Sequence, residues 1–290
     1  MAKSKKSKKL SLTATLTAPQ GEVDLASHDT RATPGFGGDK ADGKAALGEM
    51  GGVLSDLQER LFAEGRTDGE RSILLVLQGM DTSGKGGVIR HAVGLVDPQG
   101  VQIKGFKAPT RAERRHDFLW RIERELPPPG MIGIFDRSHS EDVLIGRVRE
   151  LASEDEIARR YDAINTFEQK LVDSGGTVVK CMLHISADEQ RERLVARLDD
   201  PTKQWKFNPL DIDERAHWAA YQEAFAIALG KCNTEAAPWL VVPSDRKWYR
   251  DWAVATVLRE TLEGMDLRWP VADFDVAEQR RRLTEGDPLG

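Results

Sequence analysis

The feature that most restricts this chain is a loop. Ser72-Ile-Leu-Leu-Val-Leu-Gln78 is a short apolar run, and Gly79-Met-Asp-Thr-Ser-Gly-Lys-Gly86 follows it directly. An unbroken run of that kind reads as a strand buried on both faces, as in a parallel sheet with helices on either side. Glycines after such a strand let the backbone curl so that N–H groups converge on an anion. The helix that opens behind them adds a favourable dipole. Gly79, Thr82, Ser83, Gly84 and Gly86 are therefore expected to wrap phosphate oxygens, with Lys85 supplying a point charge.

The position after the lysine usually carries a hydroxyl that binds a metal; here it is Gly86. Another oxygen must then serve, and Asp81 lies inside the loop. A carboxylate among phosphates repels them unless a divalent cation sits between, so Asp81 points to Mg²⁺ or Mn²⁺. A second acid is found where the chemistry wants it. Met131-Ile-Gly-Ile-Phe135 reads as a strand and ends in Asp136-Arg137-Ser138. An acid at the carboxyl end of such a strand lies beside the phosphate loop. Asp136 can share the metal with Asp81, and Arg137 would face bridging phosphates. Helix capping is the plainer alternative for both acids.

Apolar periodicity extends the pattern. A helix is expected from about residue 44 to Gly65, then helices over 88–96, 111–125, 141–151, Glu154–Asp173, 187–198, 214–232 and 248–262. Strands are expected over 101–106, 131–135, 177–185 and 239–242, besides Ser72–Gln78. Strands alternating with helices give a doubly wound α/β domain, a three-layer α/β/α sandwich on a five-stranded parallel sheet. One domain is expected over 43–270. Residues 1–42 read as a disordered basic tail and 271–290 as a charged C-terminal tail.

Composition narrows the function. No stretch is apolar and long enough to span a membrane. The formal charge is -5, although Lys3, Lys5, Lys6, Lys8 and Lys9 crowd the first nine residues, so the rest is more acidic still. That balance argues against a nucleic-acid partner and leaves room for local basic clusters that attract a polyanion. Two cysteines, Cys181 and Cys232, stand far apart and fit a reducing cytoplasm better than a disulfide framework or zinc site.

A basic lid is expected over about 187–213. Arg193 and Arg197 are four apart and share a helix face. Asp199-Asp-Pro-Thr-Lys-Gln-Trp-Lys-Phe-Asn-Pro-Leu-Asp211 follows, carrying Lys203 and Lys206 with no clear periodicity. Phosphoryl transfer needs positive charge over the moving oxygens and exclusion of water, and a mobile basic segment supplies both. Trp218, Tyr221 and Phe225 recur at helical spacing, as do Trp248 and Trp252, and both stripes read as core. His116, His139 and His184 lack metal-ligand spacing and receive no role.

Taken together, these motifs resemble the polyphosphate kinase 2 family over about 56–270. The stretches that carry the resemblance are the phosphate loop, Phe106-Lys-Ala-Pro109, His116-Asp-Phe-Leu-Trp-Arg121, Ile134-Phe-Asp-Arg-Ser-His139, Asp200-Pro-Thr-Lys-Gln-Trp-Lys206 and Ala237-Pro-Trp-Leu-Val-Val-Pro243. The resemblance implies a thymidylate-kinase-like fold with a helical lid. It implies Mg²⁺-dependent, reversible transfer of phosphoryl groups from inorganic polyphosphate to nucleoside mono- and diphosphates. By motif match, Asp81 and Asp136 would hold the metal, and Lys85, Arg137, Arg193 and Arg197 would neutralise phosphates. Glu141 stands where it does in the group accepting both AMP and ADP. Charge and position alone suggest Lys104, Lys107 and Arg111 for a polyphosphate channel. Members assemble as homodimers or homotetramers. An ATP-dependent kinase on the same fold and a non-catalytic P-loop module are the competing readings.

Overall fold

The computed structural model describes residues 11–286 and 289. Five strands, β1 (Ser72–Gln78), β2 (Val101–Gly105), β3 (Ile132–Asp136), β4 (Gly176–His184) and β5 (Trp239–Pro243), form one parallel sheet in the order β2-β3-β1-β4-β5. β1 lies at the centre and every one of its residues is buried. Its register sets the site: Leu77 stands opposite Asp136 on β3 and Cys181 on β4, so Asp136 ends its strand beside the loop that leaves β1.

The helices of the described residues are α1 (Leu12–Leu16), α2 (Lys40–Gly65), α3 (Lys85–His91), α4 (Trp120–Glu123), α5 (Glu141–Val148), α6 (Glu154–Asp173), α7 (Ala187–Asp199), α8 (Leu210–Arg215), α9 (Trp218–Lys231), α10 (Lys247–Gly264) and α11 (Val276–Glu285). Side chains alternate along β1 and so feed two cores. Ile73, Leu75 and Leu77 pack with Leu54 and Leu61 of α2, Val88 of α3 and Val254 and Leu258 of α10. Leu74 and Val76 pack with Val143 and Leu144 of α5, Ile157 and Ile164 of α6 and Phe225 of α9. The three-layer α/β/α sandwich is thus as expected.

Local chemistry explains the sharpest boundaries. α6 starts where the Ser153 hydroxyl accepts from Glu156 N and three acids meet the helix dipole. Its buried stripe of Ile157, Tyr161, Ile164 and Leu171 follows the helical repeat. α2 opens on a capping box between Asp39 and Asp42.

Three expectations need correction. Residues 11–42 are not a disordered tail. α1 buries Leu12 and Leu16, Val23 and Leu25 are buried further on, and Thr17 bridges the edge of β5 at Leu240. Glu260 holds this segment by accepting from the amides of Leu12 (2.9 Å) and Thr13 (2.8 Å). Second, the helix expected over 111–125 is only a 3₁₀ turn at Glu113–Arg115 and the single turn α4. Polar side chains compete for its backbone: Asp117 accepts from Leu119 N (2.9 Å), and Arg114 donates to Pro109 O (3.1 Å). Third, the helix expected over 214–232 is split into α8 and α9. The lysines of the first nine residues lie outside the described residues. Beyond residue 270, α11 forms with no buried residue.

Candidate active site

The loop between β1 and α3 curls through left-handed backbone at Gly79 (φ 143°), Thr82 (φ 65°) and Gly84 (φ 112°). The amides of Asp81, Thr82, Gly84, Lys85 and Gly86 have no acceptor among the described residues. Several of the carbonyls are engaged. Lys85 Nζ donates to Gly79 O (2.8 Å), and Gln190 of α7 donates to Asp81 O (3.1 Å). The hydroxyls of Thr82 and Ser83 are buried without a partner among the described residues. An anion meeting free amides, buried hydroxyls and a lysine at one turn is the arrangement a phosphate needs.

Charges converge beside this loop. Arg137 donates to Asp81 at 2.7 Å from a left-handed backbone (φ 65°), a conformation that costs a non-glycine residue energy and is concentrated at functional sites. Burial works against the Arg137 charge, yet Glu141, Asp81 and Asp136 hold it above its usual value. Burial pulls the Lys85 ammonium below its usual value, with Asp81, Asp136 and Glu141 opposing. Burial also pushes the Glu141 carboxyl up, against the pull of Arg137 and Lys85. With its amide nitrogen turned toward Glu141, Gln78 donates to it at 2.9 Å and accepts from the Ser138 hydroxyl at 3.1 Å. The Asp136 carboxylate makes no hydrogen bond or ion pair among the described residues. Its influence on both Lys85 and Arg137 places it in the same charge cluster.

A cavity of about 380 Å³ opens onto this cluster, lined by Asp81, Arg137 and Glu141 and by Asp211, Glu214 and Tyr221. Phe225 also lines it. The stripe Trp218, Tyr221 and Phe225 was expected as core. Phe225 is indeed buried, but Tyr221 faces the cavity and donates to Glu214 at 2.8 Å. Only the pattern of a helix was legible there, not which turn would meet the cavity.

The remaining expected residues divide. Gly79, Asp81, Arg137 and Glu141 line the cavity. Lys104 is ion-paired with Glu125, Lys107 and Arg111 are exposed, and Ala108 next to Lys107 reaches the cavity instead. On the 187–213 segment, Lys203 pairs with Asp200 (2.6 Å) and Lys206 lies over the Trp205 ring. Arg197 donates to Lys206 O (3.2 Å) and lies 3.6 Å from Asp211. Arg193 corrects its expected role. Its guanidinium is buried and directed at backbone carbonyls of the loop rather than outward to a phosphate. Sequence reading missed Gln190 of α7 and Arg250 of α10, which donate to the loop carbonyls of Asp81 (3.1 Å) and Ser83 (3.2 Å), and Asp211, which lines the cavity.

A parallel sheet with this strand order, carrying a glycine-wrapped lysine after β1 and an acid at the end of β3, defines a P-loop kinase. The family model described as polyphosphate kinase 2 matches residues 37–270. A protein of Meiothermus ruber named AMP/ADP-polyphosphate phosphotransferase is 44% identical over 252 residues, 87% of this chain and 93% of its own length. One of Rhodopseudomonas palustris named ADP-polyphosphate phosphotransferase is 40% identical over 264 residues, 87% of this chain and 90% of its own. The crystal structure of polyphosphate kinase 2 from Arthrobacter aurescens TC1 matches with a TM-score of 0.93 at 52% identity, covering 95% of this chain and 97% of that one. The chain belongs to the polyphosphate kinase 2 family.

Proposed function

We propose that this chain transfers the terminal phosphoryl group of inorganic polyphosphate to ADP, giving ATP, and to AMP, giving ADP, reversibly and with Mg²⁺ or Mn²⁺. The observation that carries this reading is the meeting of Asp81, Arg137, Lys85 and Asp136 at a loop whose amides have no acceptor among the described residues. The names of the Meiothermus and Rhodopseudomonas relatives support the donor, and that of the former supports both acceptors.

The residues fit a divalent cation. Asp81 and Asp136 are hard oxygen donors, and Asp136 lacks any other partner among the described residues. No cluster of three or more His, Cys, Asp or Glu suited to a metal occurs among those residues. Asp81 and Asp136 would hold the ion. When bound, such an ion neutralises phosphate charge and aligns donor and acceptor.

The chain's own groups do the rest. The loop amides and Lys85 bind the donor phosphates. Arg137 offers charge to the oxygens around the moving phosphorus. An oxygen of the acceptor's terminal phosphate forms the new P–O bond as the bridging P–O bond of polyphosphate breaks, and the shortened chain leaves as an anion. The attacking oxygen is already anionic, so no general base is required, and positioning with charge neutralisation supplies the catalysis. The 187–213 segment lines the cavity through Asp211 and carries Arg197, Lys203 and Lys206 for a polyanion. Glu141 faces the acceptor. A cytoplasmic homodimer or homotetramer, without nucleic acid or membrane as partner, completes the reading; no helix of the described residues is long and apolar enough to cross a membrane.

The test is an assay of purified protein with polyphosphate and either ADP or AMP, with Mg²⁺ present and then chelated. ATP from ADP and ADP from AMP, both lost on chelation, are expected. Transfer from ATP to a small molecule with none from polyphosphate would overturn the reading.

A further inference from the structure

We infer that Arg193 and Arg250 are positioning residues: their guanidinium groups grip the carbonyls of the phosphate loop from behind and keep its amides turned toward the phosphate. The inference rests on the phosphate-binding reading of the loop.

Each peptide unit is rigid, with N–H and C=O pointing opposite ways. A loop that turns several amides toward one anion must turn carbonyls away from it. The Ser83 carbonyl, whose peptide carries the Gly84 amide left without an acceptor among the described residues, is buried here and needs donors. Arg193, 7% exposed on α7, donates through Nη1 to Thr82 O (2.8 Å) and Ser83 O (3.0 Å). Through Nη2 it donates to Ser244 O (2.6 Å) and Asp245 O (3.0 Å), and through Nε to Glu189 (2.7 Å). All five of its N–H donors are therefore engaged, and none is left for a phosphate.

Arg250, 3% exposed on α10, approaches the same carbonyl from a second helix. It donates through Nη1 to Ser83 O (3.2 Å), while Asp251 fixes the fork by accepting from Nε (2.9 Å) and Nη2 (2.7 Å). Two glycines make room for it. A Cβ at Gly84 would lie 1.7 Å from Arg250 Nη1, and one at Gly87 would lie 2.4 Å from Nη2. Gly84 is also needed for its backbone (φ 112°), but Gly87 sits in the helix α3, where alanine is the better residue. Its small size therefore serves the guanidinium, not the helix.

Gly87→Ala separates grip from charge, because it displaces the Arg250 fork while leaving its charge in place. The probe is inorganic tripolyphosphate, titrated by calorimetry into wild type, Gly87→Ala, Arg250→Met and Arg193→Met. Steady-state transfer from polyphosphate to ADP and thermal melting are measured alongside. Gly87→Ala and Arg250→Met are expected to bind the probe about tenfold more weakly or worse, the loss of one charge-assisted hydrogen bond. KM for polyphosphate should rise in step, and KM for ADP should stay within about twofold. Gly87→Ala should melt no lower than Arg250→Met, and a loss confined to polyphosphate, with KM for ADP unmoved, is what a merely structural lesion would not give. Arg193→Met, should it fold, follows the same split. Wild-type affinity in Gly87→Ala, or no binding by the wild type itself, would overturn the inference. Binding with no transfer by the wild type would sink the proposed reaction and leave the grip standing.

Discussion

Lys180→Met tests how the acid of β3 is held in place. Lys180 is fully buried on β4, and its ammonium donates to Glu168 Oε2 on α6 (2.6 Å) and to the Cys232 carbonyl (2.6 Å). Glu168 Oε1 pairs with His139 Nε2 at 3.0 Å, and His139 continues the turn that carries Asp136 and Arg137. All three side chains are 0% exposed. Removing the ammonium leaves a buried carboxylate with one partner fewer and strips the Cys232 carbonyl of its donor. Breaking such a pair from one side costs about 3–5 kcal/mol. At an unfolding slope of about 3 kcal/mol per molar urea, the midpoint should fall by about 1–1.7 M. Burial would raise the Glu168 carboxyl, but Lys180 and His139 more than offset it and hold it below its usual 4.5. A carboxyl lowered on folding contributes stability that is complete above its unfolded value and lost as pH falls through the folded one. The gap between wild type and variant should therefore be full near neutrality and narrow below about pH 4.5. Urea unfolding followed by tryptophan fluorescence reads both. Lys180→Met with Glu168→Leu should recover most of the loss, because no charge is then left unpaired. A single variant within about 1 kcal/mol of wild type would refute this account of the network.

Three further outcomes are expected. Arg197→Ala should lower kcat more than it raises KM for the nucleotide, because its charge acts mainly on the moving phosphoryl group; steady-state kinetics with an unchanged kcat would count against that role. Glu141 has a carboxyl raised above its usual value, so it neutralises at higher pH than an ordinary glutamate. The kcat/KM profile of the wild type should show that acid limb and Glu141→Gln should lack it. Glu260→Ala should free the N-terminal segment, since three hydrogen bonds to Leu12 and Thr13 end on Glu260. Hydrogen exchange at residues 12–17 should speed up by about tenfold or more, and unchanged exchange would refute the anchoring.

What was legible in the sequence follows from local physics. β1 and α6 have the expected bounds because an unbroken apolar run and a capped, periodic stripe each declare themselves without reference to the rest of the chain. The places of the loop and of Asp136 were legible because each follows directly on an apolar run that declares its strand, and the two strands are neighbours in the sheet. The N-terminal segment was not. Leu12, Leu16, Val23 and Leu25 are too sparse to show a repeat, and their burial depends on grooves built by β5 and α10. Arg193 was recognised as important and given the wrong neighbours, since a helical wheel shows a shared face with Arg197 but not what that face meets. Arg250 left one faint signal, a glycine at position 87 where a helix would favour alanine.

The central claim is that Asp81 and Asp136 together hold the cation on which transfer depends. ATP formation from polyphosphate and ADP, measured across a Mg²⁺ titration for wild type, Asp81→Asn and Asp136→Asn, tests it most directly. Each substitution should lower kcat by about 100-fold or more and demand more Mg²⁺, while the melting temperature stays within a few degrees of wild type. Turnover near the wild-type rate in either folded variant would contradict the claim.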